Sequence, residues 1–272
     1  PVLGTDVSRW QGTINFQQMA DAGARYTFIK ASDGLPVAGG GHWVDPEFAA
    51  NWAKSGRAHW VDRNGHVYPL LRGAYHFYRN TVDPIAQAAH FLSVVPSGSR
   101  GELPLVVDLE DESTLDAAVL RRFVDHVRQI DGRKVIIYTG GWWVRQYLRG
   151  DTRWLASLPL WHTPRAEPVP APWTSILIDQ EPSTLRGREF GCSEDGLDLD
   201  YFAGKESDLL KFASLPVAGR GRPREQYRRT YWLVDDAVDI ADYLKLAEQA
   251  WEKKRTRGFS YEDDGIGVLE KK

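Results

Sequence analysis

Two carboxylates separated by one residue, Asp108 and Glu110, close an apolar stretch that begins at Leu103. Residues 103–107, Leu-Pro-Leu-Val-Val, read as a strand buried on both faces. Residues i and i+2 of a strand share a face and lie ~6.5 Å apart along it. Asp108 and Glu110 are therefore expected to project together from the end of a buried strand. Like charges held close resist double ionisation, so such a pair keeps a proton that an isolated carboxylate would lose. That is the chemistry of a general acid/base site. The plainer reading is that one of them caps the next helix and the other is solvated.

The elements around this stretch alternate strand and helix. Strand-like segments run at 4–8, 26–31, 72–78, 103–110, 134–139, 158–162, 175–180 and 196–201. Asn15 and Gly23 bracket a first helix, Asp45-Pro46 and Asp83-Pro84 open two more, and Ser113 begins a longer one with Leu115, Val119, Phe123 and Val127 on one stripe. Asp33-Gly34 and the glycines at 39–41 indicate a loop, Asn64-Gly65 a small hairpin, and Gly140-Gly141 the entry to a short helix. The last three strands are joined by Pro-rich segments without clear helices. The pattern implies an α/β fold: an irregular (β/α) barrel, TIM-barrel-like, with about five β/α units plus three further strands. In such barrels the chemistry sits at the C-terminal strand ends. Asp6, Asp33, Tyr75, Asp108, Glu110, Tyr138, Trp161, Gln180 and Asp198 all fall at strand ends. Several acids and aromatics on one mouth suit a carbohydrate.

Composition narrows the classes. The 272 residues are 42% hydrophobic and 26% charged, with a net charge of -3, as in soluble globular domains. Nothing points to nucleic acid, and no apolar run approaches the ~20 residues of a membrane span. A single cysteine, Cys192, excludes an internal disulfide framework, and seven histidines lack ligand spacing, so no metal site and no cofactor is expected. Eleven tryptophans give ample material for stacking on sugar rings, although most Trp serves packing. A monomer is expected.

The motifs Gly-Thr-Asp-Val-Ser-Arg-Trp-Gln-Gly at 4–12, Phe-Ile-Lys-Ala at 28–31, Arg-Gly-Ala-Tyr-His-Phe at 72–77, Val-Asp-Leu-Glu at 107–110, Ile-Tyr-Thr at 137–139 and Leu-Asp-Leu-Asp at 197–200 resemble glycoside hydrolase family 25. These are the Chalaropsis-type lysozymes, or N-acetylmuramidases, of bacteria, fungi and phages. Each motif is weak alone; the ordered set, spanning roughly 3–202, is specific. The resemblance implies hydrolysis of the β-1,4 bond between N-acetylmuramic acid and N-acetylglucosamine in peptidoglycan, with retention of configuration. By position it implies Glu110 as general acid/base, Asp108 as its partner, and Asp6 and Asp198 as the other acidic site residues. Whether Asp108 attacks or orients the substrate's 2-acetamido group stays open. Tyr75, Phe77, Tyr138, Trp161, Gln180, Asp33 and Trp10 would line the sugar groove. The chain departs from the family pattern at Asp33, which replaces a longer acid, at 178–181, where Gln180 alone is kept, and at Asp200, where Asn is common. Those departures bear on subsite preference.

Residues 1–204 are thus expected to form the catalytic barrel, 205–230 an Arg/Gly/Pro-rich linker and 231–272 a helical extension without an assigned role. The enzyme would act on bacterial peptidoglycan after secretion or release to the wall, from a cell or a phage. Two rival classes are a wall-binding or phage structural protein without turnover, and a chitinase-like glycosidase sharing the barrel mouth.

Overall fold

The computed structural model describes residues 1–38 and 40–214. Eight strands form its centre: β1 (Val2–Val7), β2 (Tyr26–Pro36), β3 (Leu71–Phe77), β4 (Val106–Leu109), β5 (Ile136–Gly140), β6 (Leu160–Thr163), β7 (Ile178–Thr184) and β8 (Leu197–Phe202). Each is hydrogen-bonded to the next in chain order, and β8 returns to β1, so the sheet closes. Strands β1 to β7 are parallel neighbours throughout. Strand β8 runs antiparallel to both β7 and β1. Closure leaves no unpaired edge among the eight.

The helices follow from local chemistry. In α1 (Phe16–Asp21) Asn15 caps the start by accepting from the Gln18 amide. The next helix, α2 (Phe48–Ser55), buries Phe48 and Trp52. Asp83 caps α3 (Pro84–Val94), whose Ala88 and Phe91 are fully buried. The amphipathic α4 (Ala117–Asp131) buries Leu120, Phe123, Val124 and Val127 and ends on a left-handed Gly132. Two short helices complete the set, α5 (Gly141–Tyr147) and α6 (Glu206–Phe212). Among the described residues no α-helix lies between Tyr147 and Glu206, in keeping with the helix-poor final third. No described helix is long and apolar enough to cross a membrane.

Three local expectations are corrected. The long helix starts at Ala117 rather than Ser113, because Leu115–Asp116 is drawn into a two-residue pairing with Leu148–Arg149 and Asp116 supplies the cap. The loop expected after residue 31 is strand as far as Pro36, paired antiparallel with His42–Val44. The β/α repeat predicts a parallel eighth strand; β8 is reversed, and the described residues 185–196 before it hold no helix to carry a parallel crossover. Helix α6 occupies the first part of the stretch 205–230, burying Leu209 and Leu210 and bringing Phe212 onto Phe202. The Arg-rich segment at 217–229 and the helix expected at 235–255 lie outside the described residues.

Candidate active site

Inward-facing residues of the barrel meet at one mouth, around a cavity of about 200 Å³. Strand alternation puts one or two polar or aromatic side chains per strand there. Asp6 comes from β1, Lys30 from β2, Tyr75 and Phe77 from β3, Asp108 from β4 with Glu110 just beyond it, Tyr138 from β5, Trp161 from β6 and Asp198 from β8. Asp198 sits at the N-terminal end of its strand. Because β8 runs backwards, that end shares the mouth with the C-terminal ends of the others, opposite Asp6. The floor is aromatic: Phe28 stacks on Trp161 at 4.6 Å and Tyr138 meets Trp161 edge-on at 4.7 Å.

The carboxylates are sunk into this apolar surround, and burial is the main reason that each resists ionisation. Asp108, 5% exposed, is pushed well above the usual carboxylate range by burial and then by Glu110, while Lys30 opposes the shift. Glu110 is raised by burial and by Asp198, against the pull of Lys30 and the nearby Tyr138 hydroxyl. Both are therefore held nearer the neutral form than free carboxylates. Asp6 is raised by burial and by Asp198 and Asp200. Asp198 is raised by burial, moderated by the Ser183 amide that it accepts from.

A second row fixes the first. Gln180, 1% exposed, donates through Nε2 to Asp6 Oδ2 at 2.7 Å and accepts from the Tyr138 hydroxyl at 2.8 Å. Gln180 thus holds Asp6 and Tyr138 in place and does not itself line the cavity. Asp33 does not line it either: it is 6% exposed and bound by Arg79 at 2.7 and 2.8 Å. Its tie to Arg79 serves to brace Phe77, which lies under the Arg79 guanidinium at 4.4 Å and the Lys30 ammonium at 4.8 Å. Trp10 lines the rim and is 70% exposed.

Four contributors lie within the quoted motifs but not among the expected site residues. Lys30 is the cation beside the acid pair; a lysine alternating with Phe28 along a buried strand was the available signal. Asp200, fully buried, accepts from Trp161 Nε1 at 2.9 Å and lies near Asp6 and Asp198. Ser8 and Gln11 line the cavity and cap each other across the Arg9–Gln11 turn. Among the described residues no group of three or more His, Cys, Asp or Glu is arranged to hold a metal ion. Two acids with raised pKa values, beside three further carboxylates and one ammonium, can donate a proton to a leaving oxygen and stabilise a developing positive charge.

Comparison with known proteins gives this site a family. Residues 5–167 match the profile of Glycosyl hydrolases family 25. Lysozyme M1 of Streptomyces globisporus is 31% identical over 229 residues, covering 78% of this chain and 71% of that protein. YegX of Escherichia coli (strain K12), uncharacterized, is 37% identical over 170 residues, and this chain spans only 56% of its length. The crystal structure of a bacterial lysozyme from Streptomyces coelicolor superposes with a TM-score of 0.63 at 29% identity, over 78% of this chain and 96% of that one. With its closed barrel, its acid-lined mouth and a profile match over more than half its length, the chain belongs to glycosyl hydrolase family 25.

Proposed function

We propose that this protein is a muramidase, hydrolysing the β-1,4 bond between N-acetylmuramic acid and N-acetylglucosamine in bacterial peptidoglycan. The observation that carries the reading is that Asp108 and Glu110 line one acid-rich, aromatic-floored cavity. Relatives named lysozyme support it. Glu110, at the open end of the pair, is the general acid: burial raises its pKa and favours the protonated form that delivers a proton to the leaving oxygen. Asp108, deeper in the wall and raised by burial and by Glu110, acts against the oxocarbenium-like centre in its ionised form, which Lys30 favours. Asp6 and Asp198 extend that field from the opposite side of the barrel. Tyr75, Phe77, Tyr138 and Trp161 present faces and edges to the sugar rings, and Trp10 offers an exposed one at the rim. Configuration is retained, and the site of action is the cell wall.

The test is digestion of purified peptidoglycan, borohydride reduction of the new ends and mass spectrometry of the reduced sugar. Reduced muramic acid is expected. Reduced glucosamine would make the enzyme a glucosaminidase, and no new ends on several wall types would favour a binding protein. Glu110→Gln should lower turnover by about 10³-fold or more with an unchanged circular dichroism spectrum. Full activity in that variant would remove Glu110 from its role.

A further inference from the structure

The mouth concentrates negative charge: Asp6, Asp108, Glu110 and Asp198 line it, with Asp200 beneath. A glycan that carries carboxylates of its own is repelled there unless a cation receives them. Lys30 lines the cavity over the ring of Phe77 at 4.8 Å, and its charge acts on Asp108 and Glu110. Arg9 does not line the cavity and stands outside it. Its guanidinium lies over the ring of Trp10 at 4.5 Å and that of Trp43 at 5.2 Å, and the carboxylate that feels its charge, Asp45, is engaged by the backbone amides of Arg9 and Glu47. The residue is exposed, next to rim-lining Trp10.

The backbone beneath this side chain is built to hold it. The Arg9 amide donates to Asp45 Oδ2 at 3.1 Å, and Asp45, 2% exposed, also accepts from the Glu47 amide at 2.9 Å. Ser8 caps the turn, and its own amide donates to Gln11 Oε1 at 2.8 Å. Gly12 ends the turn at φ 65°, and a Cβ there would collide with Ser193 Oγ. Trp43 is carried by the His42–Val44 strand, paired to the edge of β2. A guanidinium stacked on two indoles keeps its planar donor fork, and little freedom remains to be lost when it is engaged.

We propose that Arg9, seated on Trp10 and Trp43, is a rim receptor for a carboxylate carried by the substrate glycan, so that the enzyme prefers acid-bearing strands to neutral ones. The proposal rests on the muramidase reading. Muramic acid offers that carboxylate in two ways: as its free lactyl group, or in the peptide that extends from it. Chitin-type polymers offer neither. Arg9 acts on binding and touches no reacting atom, so its signature lies in KM.

The experiment compares three soluble strand preparations with the same glycosidic bonds: peptide-bearing, peptide-stripped by an amidase, and carboxylate-neutralised by carbodiimide amidation. The wild type should show a KM about fivefold higher on amidated strands, with kcat little changed and with the difference shrinking as salt is raised. Arg9→Gln should raise KM about fivefold on acid-bearing strands and leave it unchanged on amidated ones, with Arg9→Lys in between. A preference that survives peptide removal assigns the lactyl carboxylate, and one that vanishes assigns the peptide. Equal KM changes on acidic and amidated strands, or none, would overturn the proposal while the muramidase reading stands. No reducing ends from the wild type on any strand would overturn both.

Discussion

Gln180 exerts its influence without reaching the cavity. Its amide nitrogen stabilises the charged form of Asp6, and its oxygen fixes the Tyr138 hydroxyl. Gln180→Leu removes the donor, so the Asp6 pKa, already raised by burial, moves further up. The expected result is a kcat about tenfold lower, with the pH–rate limb that reports the acid cluster displaced to higher pH. A uniform loss of activity with an unmoved profile would make Gln180 merely a packing residue. The residue scale also shows where sequence reading stops. Asp108 and Glu110 were legible because strand periodicity alone brings them to one face. Asp33 was misplaced in the groove because its partner, Arg79, is 46 residues away and the strand pattern does not say which wall a side chain joins.

At the scale of elements, the barrel was legible where apolar runs alternate with capped helices: β4, β5, α1 and α3 follow from run length, Asn15 and Asp83. The direction of β8 was not, since a six-residue strand reads the same in either sense and only its pairing to β1 decides. The same holds for the Arg9–Gln11 turn, whose importance depends on Ser193 and Asp45, both remote in sequence. Gly12 is the joint on which that turn depends. Gly12→Ala forces a left-handed conformation on a residue with a side chain and drives its methyl against Ser193. A stability loss of about 1–2 kcal/mol is expected, or a Tm lower by roughly 2–8 °C, together with a raised KM from the displaced Trp10. A drop in Tm without any change in KM would separate the turn from substrate binding.

At the scale of the whole molecule, two buried features pull stability in opposite directions along the pH axis. The acids Asp6, Asp108, Glu110, Asp198 and Asp200 all have raised folded pKa values. Their contribution is fully present below the unfolded carboxylate pKa and is lost as pH rises through the folded values. His76 works the other way. It is fully buried between Phe91 and Phe123, bonded to Ser32 at 2.9 Å, and burial lowers its pKa to about 3. Between that value and its ordinary 6.5 the unfolded chain binds the extra proton, so stability falls with falling pH by up to ~1.4 kcal/mol per unit. Between about pH 4 and 6.5 the two effects oppose each other as pH rises, and above 6.5 only the loss from the acid cluster remains. Asp200→Asn keeps an acceptor for the Trp161 indole and removes one buried charge. It should raise Tm at pH 8 by ~2–4 °C, equivalent to about 1 kcal/mol, and change little at pH 4, where the wild-type group is already neutral. His76→Gln, whatever its cost at pH 8, should flatten the slope below pH 6.5. The acid cluster would then account for the fall above pH 6.5, and the packing histidine for the opposing slope below it. Identical curves for both variants and the wild type would show that neither feature governs the pH response of the fold.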